Sequence, residues 1–64
     1  MNTKQAHKQA AKDSKDGAAR YVVYVFDEGA NVYDAEQARI YAPLIAIEAV
    51  YLNGVQIASQ EVMA

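Results

Sequence analysis

A chain of 64 residues makes one small domain, which buries only about 60% of the surface that its unfolded chain exposes. Cysteine is absent and His7 is the only histidine, which excludes disulfides, thiolate metal sites and a histidine-based structural zinc. The net charge of −2 divides into +2 over residues 1–17 and −4 over residues 18–64. A core this small usually needs reinforcement, and association with another chain is the source that remains.

Residues 1–17 form a basic N-terminal arm that is polar and alanine-rich and lacks Val, Ile, Leu and aromatic residues. The arm is either flexible and solvated, or a helix ordered by a partner or by the acidic body. A helix would begin at Asn2, with Gln5 at capping-box spacing, and end at Gly17. It would place every lysine of the arm on one stripe: Lys4, Lys8, Lys12 and Lys15.

Residues 19–26 predict a strand, because Tyr, Val and Phe dominate. Tyr21, Val23 and Val25 lie on one face, and the opposite face is apolar too. Strands with two apolar faces are normally covered on both sides. Because we expect one short core helix, we expect the second face to be covered by another molecule or another copy.

A turn over residues 27–31 follows, with Gly29 available for positive φ. Residues 32 and 33 then form either a short strand or a lead into a helix. Asp34 has the features of an N-cap with Gln37 at the third helical position, and Pro43 ends the helix that spans residues 34–42.

Asn53-Gly54 between two apolar runs predicts a hairpin of residues 44–52 and 55–60. A helix that starts at Pro43 is the alternative, but it would be apolar on nearly every side. The hairpin register pairs Leu52 with Val55, Val50 with Ile57 and Glu48 with Ser59 on the expected core face. The opposite face pairs Tyr51 with Gln56, Ala49 with Ala58 and Ile47 with Gln60, and Ile45 shares it.

The predicted fold is therefore α+β: a small antiparallel-rich sheet in the order β-α-β-β, with a C-terminal Asn-Gly hairpin and one short core helix. Residues 1–17 are the basic arm, flexible or helical, and residues 18–64 are a single small domain.

We expect no enzyme, no cofactor and no metal site. Ser14, Ser59 and Thr3 are the only hydroxyls besides tyrosine, and His7 lies in the arm, which cannot hold a catalytic geometry if it is mobile. The carboxylates of residues 27, 28, 34 and 36 match no calcium loop and have plain roles in turns and helix caps.

The functional hypothesis is a small protein-binding module, a modulator, inhibitor or accessory subunit of phage or mobile-element type, which oligomerises or docks on a protein partner. Five tyrosines in so short a chain favour interface use, and edge-strand pairing is a natural docking mode. The expected apolar, tyrosine-bearing interface comprises Tyr21, Val23, Val25, Ile45, Ile47 and Tyr51.

Two alternatives stay open: a nucleic-acid-binding accessory that uses the lysine stripe, and a structural subunit of a larger assembly. We expect neither a membrane nor a small-molecule substrate as partner. The N-terminus lacks the apolar segment of a secretory signal, and no apolar run reaches the length of a membrane span. We therefore expect a full-length cytoplasmic protein.

Overall fold

The computed structural model describes residues 1–59. They form a four-stranded antiparallel sheet in the order β2-β1-β3-β4, together with two α-helices. The elements in chain order are α1 (Thr3–Asp13), β1 (Arg20–Val25), β2 (Gly29–Asp34), α2 (Ala35–Ile40), β3 (Ile45–Leu52) and β4 (Val55–Ser59), with 3₁₀ turns at Ser14–Asp16 and Ala42–Leu44. The α+β class and the C-terminal hairpin are confirmed.

The two helices lie on opposite faces of the sheet. Val22 and Ala49 point towards α1 and are fully buried in the core that forms against it. Val23 points the other way and is equally buried, and α2 packs against β1 and β2. The prediction of a single core helix is wrong, because residues 1–17 supply a second one. Helices of the chain itself thus cover the centre of β1 on both faces, whereas Tyr24 stays exposed.

The N-terminal segment is the helical alternative, ordered by the body. Asn2 and Gln5 form a reciprocal capping box, in which each side chain accepts a hydrogen bond from the other residue's backbone N–H. Ala6, Ala10 and Ser14 follow at intervals of four and are all fully buried. Small side chains at this spacing let the helix lie close to the sheet.

The strand β2 is longer than expected, since Ala30 and Asn31 belong to it rather than to a loop. Positive φ occurs at Gly29, as predicted, and also at Asp27, where φ is +72°. The predicted cap of the following helix is confirmed, because Asp34 and Gln37 form a second capping box.

Two register shifts change which hairpin residues share a face. Leu52 pairs with Val55 and Tyr51 with Gln56, as predicted. Beyond them Ile57 is an extra residue, so Val50 pairs with Ala58 and Ala49 with Ser59. The predicted pairs Val50–Ile57, Ala49–Ala58 and Glu48–Ser59 are therefore wrong, and the pair Ile47–Gln60 lies outside the described residues.

The second shift falls on β3 and corrects the expected core. Against β1, Ala49 pairs with Val22 and Ile47 with Val23, which leaves Glu48 as the extra residue. Ala49 and Tyr51 thus face α1, whereas Val50 is buried on the opposite face. The expected inward residues of β4 are instead exposed, Val55 by 62% and Ile57 by 56%.

Candidate protein-binding site

The expected interface does not lie on one accessible surface. The face that α2 covers carries five of the six expected residues: Tyr21, Val23, Val25, Ile45 and Ile47. Val23 pairs with Ile47 and Val25 with Ile45, and Tyr21 lies on the same face of β1 as these valines. Val23 and Val25 are buried there, and the other three are half-buried. Tyr51 is on the α1 face, since the extra residue at Glu48 reverses the alternation. The expectation that these six residues share one exposed face is therefore wrong.

Exposed apolar side chains collect instead at one end of the sheet, where β1 ends and β3 begins. Phe26 is 60% exposed and Leu44 59%. Ile40 and Tyr41, at the end of α2, are exposed as well. We name these four residues the end patch. Three of them, Phe26, Tyr41 and Leu44, line an open pocket of about 400 Å³, and Ile40 directly precedes Tyr41 in the chain. The other lining residues are Val25, Asp27, Glu28, Tyr33 and Ile45.

Local structure places the end-patch residues together. Val25 pairs with Ile45, and the backbone N–H of Phe26 donates to the carbonyl of Leu44 at 3.5 Å, so the ends of β1 and β3 stay adjacent. The ring of Tyr41 contacts that of Tyr33 on β2, with centroids 5.6 Å apart. The pocket therefore has walls from three strands and from the end of α2.

Negative charge lies at the same pocket. Asp27 and Glu28, in the turn between β1 and β2, both line it and are exposed. Neither carboxylate has a cationic partner within ion-pair distance in residues 1–59, where the ion pairs are Arg20–Asp16 and His7–Glu48. An apolar pocket with free carboxylates at its rim favours a partner that is both apolar and basic.

The apolar surface continues around the end of β1 to the α1 face. Tyr24 is 51% exposed and packs edge-to-face on Phe26, with ring centroids 6.2 Å apart. The helix α1 covers this face around Val22 and Ala49 and leaves Tyr24 in solvent. Two exposed aromatic rings that hold each other edge-to-face are preorganised for contact with a partner.

Sequence reasoning missed the end patch, although a signal exists in the sequence. Phe26 and Leu44 stand directly beside breakers, the turn residues that follow β1 and the proline that precedes β3. A large apolar residue at the end of an element has fewer neighbours to bury it than one in the middle. Alternation along the strands cannot reveal that difference.

A polar network links α1 to the hairpin. Nδ1 of His7 and the hydroxyl of Tyr51 share a hydrogen bond of 2.6 Å, and the hydroxyl also donates to Oε1 of Gln56 at 3.3 Å. Nε2 of His7 lies 4.0 Å from the carboxylate of Glu48. Desolvation, and secondarily the charge of Glu48, raises the pKa of Tyr51. His7 is thus held in place, contrary to its expected position in a mobile arm.

The lysines divide into two groups. Lys4, Lys8 and Lys12 are exposed on α1, away from the buried alanines. Lys15 is in the 3₁₀ turn beyond α1, and its Cγ and Cε lie 3.2 Å from where a Cβ on Gly54 would stand. The structure therefore keeps three lysines of the predicted stripe on one helix and places the fourth beside the hairpin turn.

No group of three or more His, Asp or Glu side chains in residues 1–59 is placed to hold a metal ion. None of the helices in this range is both long and apolar enough to cross a bilayer.

Comparison with known proteins adds no relative. The chain matches no protein-family model, no curated protein and no solved structure.

Proposed function

We propose that this protein is a small non-enzymatic protein-binding module, which acts as a modulator, inhibitor or accessory subunit through the end patch. The supporting observation is the exposure of the large apolar side chains Phe26, Tyr41 and Leu44 around one pocket, with Ile40 exposed next to Tyr41 in the chain. Contiguous exposed apolar surface is characteristic of interaction sites, and aromatic anchors in such surfaces carry much of the binding energy.

The proposed partner presents an apolar side chain next to a lysine or arginine. The apolar group would enter the pocket between Phe26 and Leu44, and the cation would meet Asp27 and Glu28 at its rim. This arrangement joins burial at the centre to charge attraction at the edge, as in most protein interfaces.

The test is affinity capture from a cell lysate with the wild-type chain, a Phe26→Ser/Leu44→Ser variant and a Val55→Ser control. Val55 is as exposed as the two patch residues but lies on β4, outside the patch. We expect wild type and control to retain the same protein and the patch variant to lose it. Equal retention by all three chains would contradict the proposal.

A second copy of the chain is also proposed as a partner, and a structural subunit would differ from a modulator mainly in stoichiometry. Light scattering on the purified protein separates a homo-oligomer from a monomer that needs another protein. We place the protein in the cytoplasm as part of the same proposal, since the absence of cysteine suits a reducing compartment.

Nucleic-acid binding is the second candidate, and the exposed row of Lys4, Lys8 and Lys12 favours it. Replacing all three by glutamine removes the charges and keeps good helix formers. If the row contacts phosphates, the wild type loses affinity as salt rises and the variant shows a smaller salt slope. A salt-independent affinity, or an unchanged slope in the variant, would contradict this candidate.

A further inference from the structure

The hairpin turn Asn53-Gly54 is held by the end of the N-terminal helix. The backbone N–H of Asn53 donates to the carbonyl of Ser14 at 2.9 Å, and the N–H of Gly54 donates to its hydroxyl, also at 2.9 Å. Ser14 is fully buried and its hydroxyl donates in turn to the carbonyl of Ala11. The side chain of Lys15 packs on Gly54. We name this set of contacts the Ser14 clasp.

An Asn-Gly sequence carries a latent chemical reaction. The backbone nitrogen of Gly54 can attack Cγ of Asn53, which forms a new C–N bond, expels the side-chain nitrogen as ammonia and closes a succinimide ring. The proton of the Gly54 N–H is lost to solvent, and the departing amide group takes up a proton from water. One water molecule then opens the ring at either carbonyl, which gives aspartate or isoaspartate.

The clasp opposes the first step in two ways. The N–H that must lose its proton is engaged by the hydroxyl of Ser14. The backbone is also fixed in the left-handed region, with φ of +53° at Asn53 and +83° at Gly54, so the turn cannot rearrange freely to bring the nitrogen to Cγ. Asn53 itself is exposed, so water is available once the ring has formed.

We propose that Asn53 is a deamidation site whose reaction is controlled by the docking of α1 through Ser14. While the helix is docked the turn is protected, and each local opening of α1 makes it reactive. The product places a carboxylate beside the former clasp, and the isoaspartate form adds one methylene to the backbone of a two-residue turn. Either change weakens the re-docking of α1 on the turn. Modified chains are therefore those in which the helix has opened at least once.

The experiment follows the mass increase from amide to acid in the purified 64-residue chain during incubation at neutral to mildly alkaline pH. The variants are Ser14→Ala, which removes the hydroxyl from the clasp, and Asn2→Ala, which loosens α1 at its far end by deleting the N-cap. Ser59→Ala on β4 is the matched control. Circular dichroism reports whether each variant is folded, and a parallel set in urea gives the rate for the open turn.

We expect the folded wild type to react much more slowly than the chain in urea. Folded Ser14→Ala should react about tenfold faster than wild type, which corresponds to ~1.4 kcal/mol of weaker closure. Asn2→Ala should also react faster, although it does not touch the turn, and Ser59→Ala should match wild type. In urea all four chains should share one rate.

Two outcomes would overturn the proposal. One is a folded wild type that deamidates as fast as the chain in urea, because the clasp then gives no protection. The other is an unchanged rate in Asn2→Ala when that variant is folded and helix stability is measurably lower, because opening of α1 then does not control the reaction. The second outcome is decisive even if Ser14→Ala does not fold.

Discussion

The hydroxyl of Tyr51 lies between α1 and β4, within hydrogen-bond distance of His7 and Gln56. Desolvation, with a smaller effect from Glu48, raises the pKa of this phenol in the folded state. In the unfolded chain the same group ionises near pH ~10. Above that pH the unfolded state therefore loses its proton first, and the free energy of unfolding falls as the pH rises.

The prediction is that the free energy of unfolding of Tyr51→Phe declines less steeply above pH ~10 than that of wild type, because the group with the raised pKa has been removed. Urea denaturation at a series of alkaline pH values gives both slopes. Tyr24→Phe is the control, since Tyr24 is exposed and lies outside the network. A slope for Tyr51→Phe that equals that of wild type would refute the assignment.

The carboxylate of Asp16 acts at the opposite end of the pH scale. It accepts a hydrogen bond from the backbone N–H of Ala18 at 2.8 Å and pairs with the guanidinium of Arg20 at 2.8 Å. The Ala18 N–H, and after it Arg20, lowers the pKa of Asp16 in the folded state. The folded state then favours the ionised form, so this stabilisation is present above pH ~3.9 and is lost as the pH falls through the folded value.

We therefore expect Asp16→Asn to flatten the loss of stability between about pH 5 and pH 2, the range in which an unperturbed aspartate takes up its proton. Urea denaturation across that range measures the effect. Glu28→Gln is the control, since Glu28 is exposed in the turn that follows β1, whereas Asp16 precedes that strand. Equal acid slopes for Asp16→Asn and the control would count against the role given to Asp16.

The packing of α1 against the sheet depends on small side chains more than on large ones. Ala6 and Ala10 are fully buried against the sheet beside Val22 and Ala49. Close approach of a helix leaves no room for a longer side chain, and inserting methylenes into such a contact costs about 1–3 kcal/mol. Alanine is thus a core residue in this helix.

Ala10→Leu should accordingly lower the free energy of unfolding by about 1–3 kcal/mol, although leucine is also a good helix former and is more apolar. Chemical denaturation measures the change. Ala35→Leu is the matched control, because Ala35 is exposed in the first turn of α2 and should change stability by less than about 0.5 kcal/mol. If Ala10→Leu stabilises the chain, α1 does not pack closely.

Much of the fold could be predicted from short-range chemistry. Both capping boxes are local signals, because a side chain and a backbone N–H three residues away decide them. The Asn-Gly turn is local as well, because it depends on two adjacent residues that tolerate positive φ. The role of α1 could not be read in this way, since buried alanines leave no large apolar stripe. The extra residues Glu48 and Ile57 shift the strand pairing by one position, which alternation alone does not encode.

The candidate site was less predictable than the fold. The residue types predict apolar and aromatic contacts with a partner. Which of these side chains are exposed depends, however, on the positions that α1 and α2 cover. A single core helix would leave one face of β1 uncovered, which is why the sequence predicts Val23 and Val25 as interface. In the structure α2 covers their face and α1 covers the opposite one. Phe26 and Leu44 are exposed because the cover stops before the end of the sheet.

At the scale of the whole molecule, one edge of the sheet is poorly protected against pairing with strands of other chains. Within the described residues β4 is an edge strand, and its sequence, VQIAS, contains neither charge nor proline. Val55 and Ile57 are more than half exposed on it. Natural edge strands usually carry lysine, proline or a bulge to prevent pairing with other chains, and β4 has only the extra residue at Ile57.

We expect the wild type to associate with increasing concentration and Ile57→Lys to associate less, with little change in stability because the side chain is exposed. Light scattering or sedimentation over a concentration series measures this. Thr3→Lys is the control, since it adds the same charge at an exposed position on α1. A wild type that stays monomeric throughout would contradict the expectation.

The Ser14 clasp joins residues that are 40 positions apart, and this separation sets an order of events during synthesis. A ribosome produces α1 before the Asn53-Gly54 turn that receives its C-terminal end. A free helix of 11 residues is marginal in water, so the nascent helix forms and melts until it packs on β1 and β2, which it contacts directly. The clasp closes only after Gly54 has been made, so full docking of the end of α1 waits for the hairpin turn.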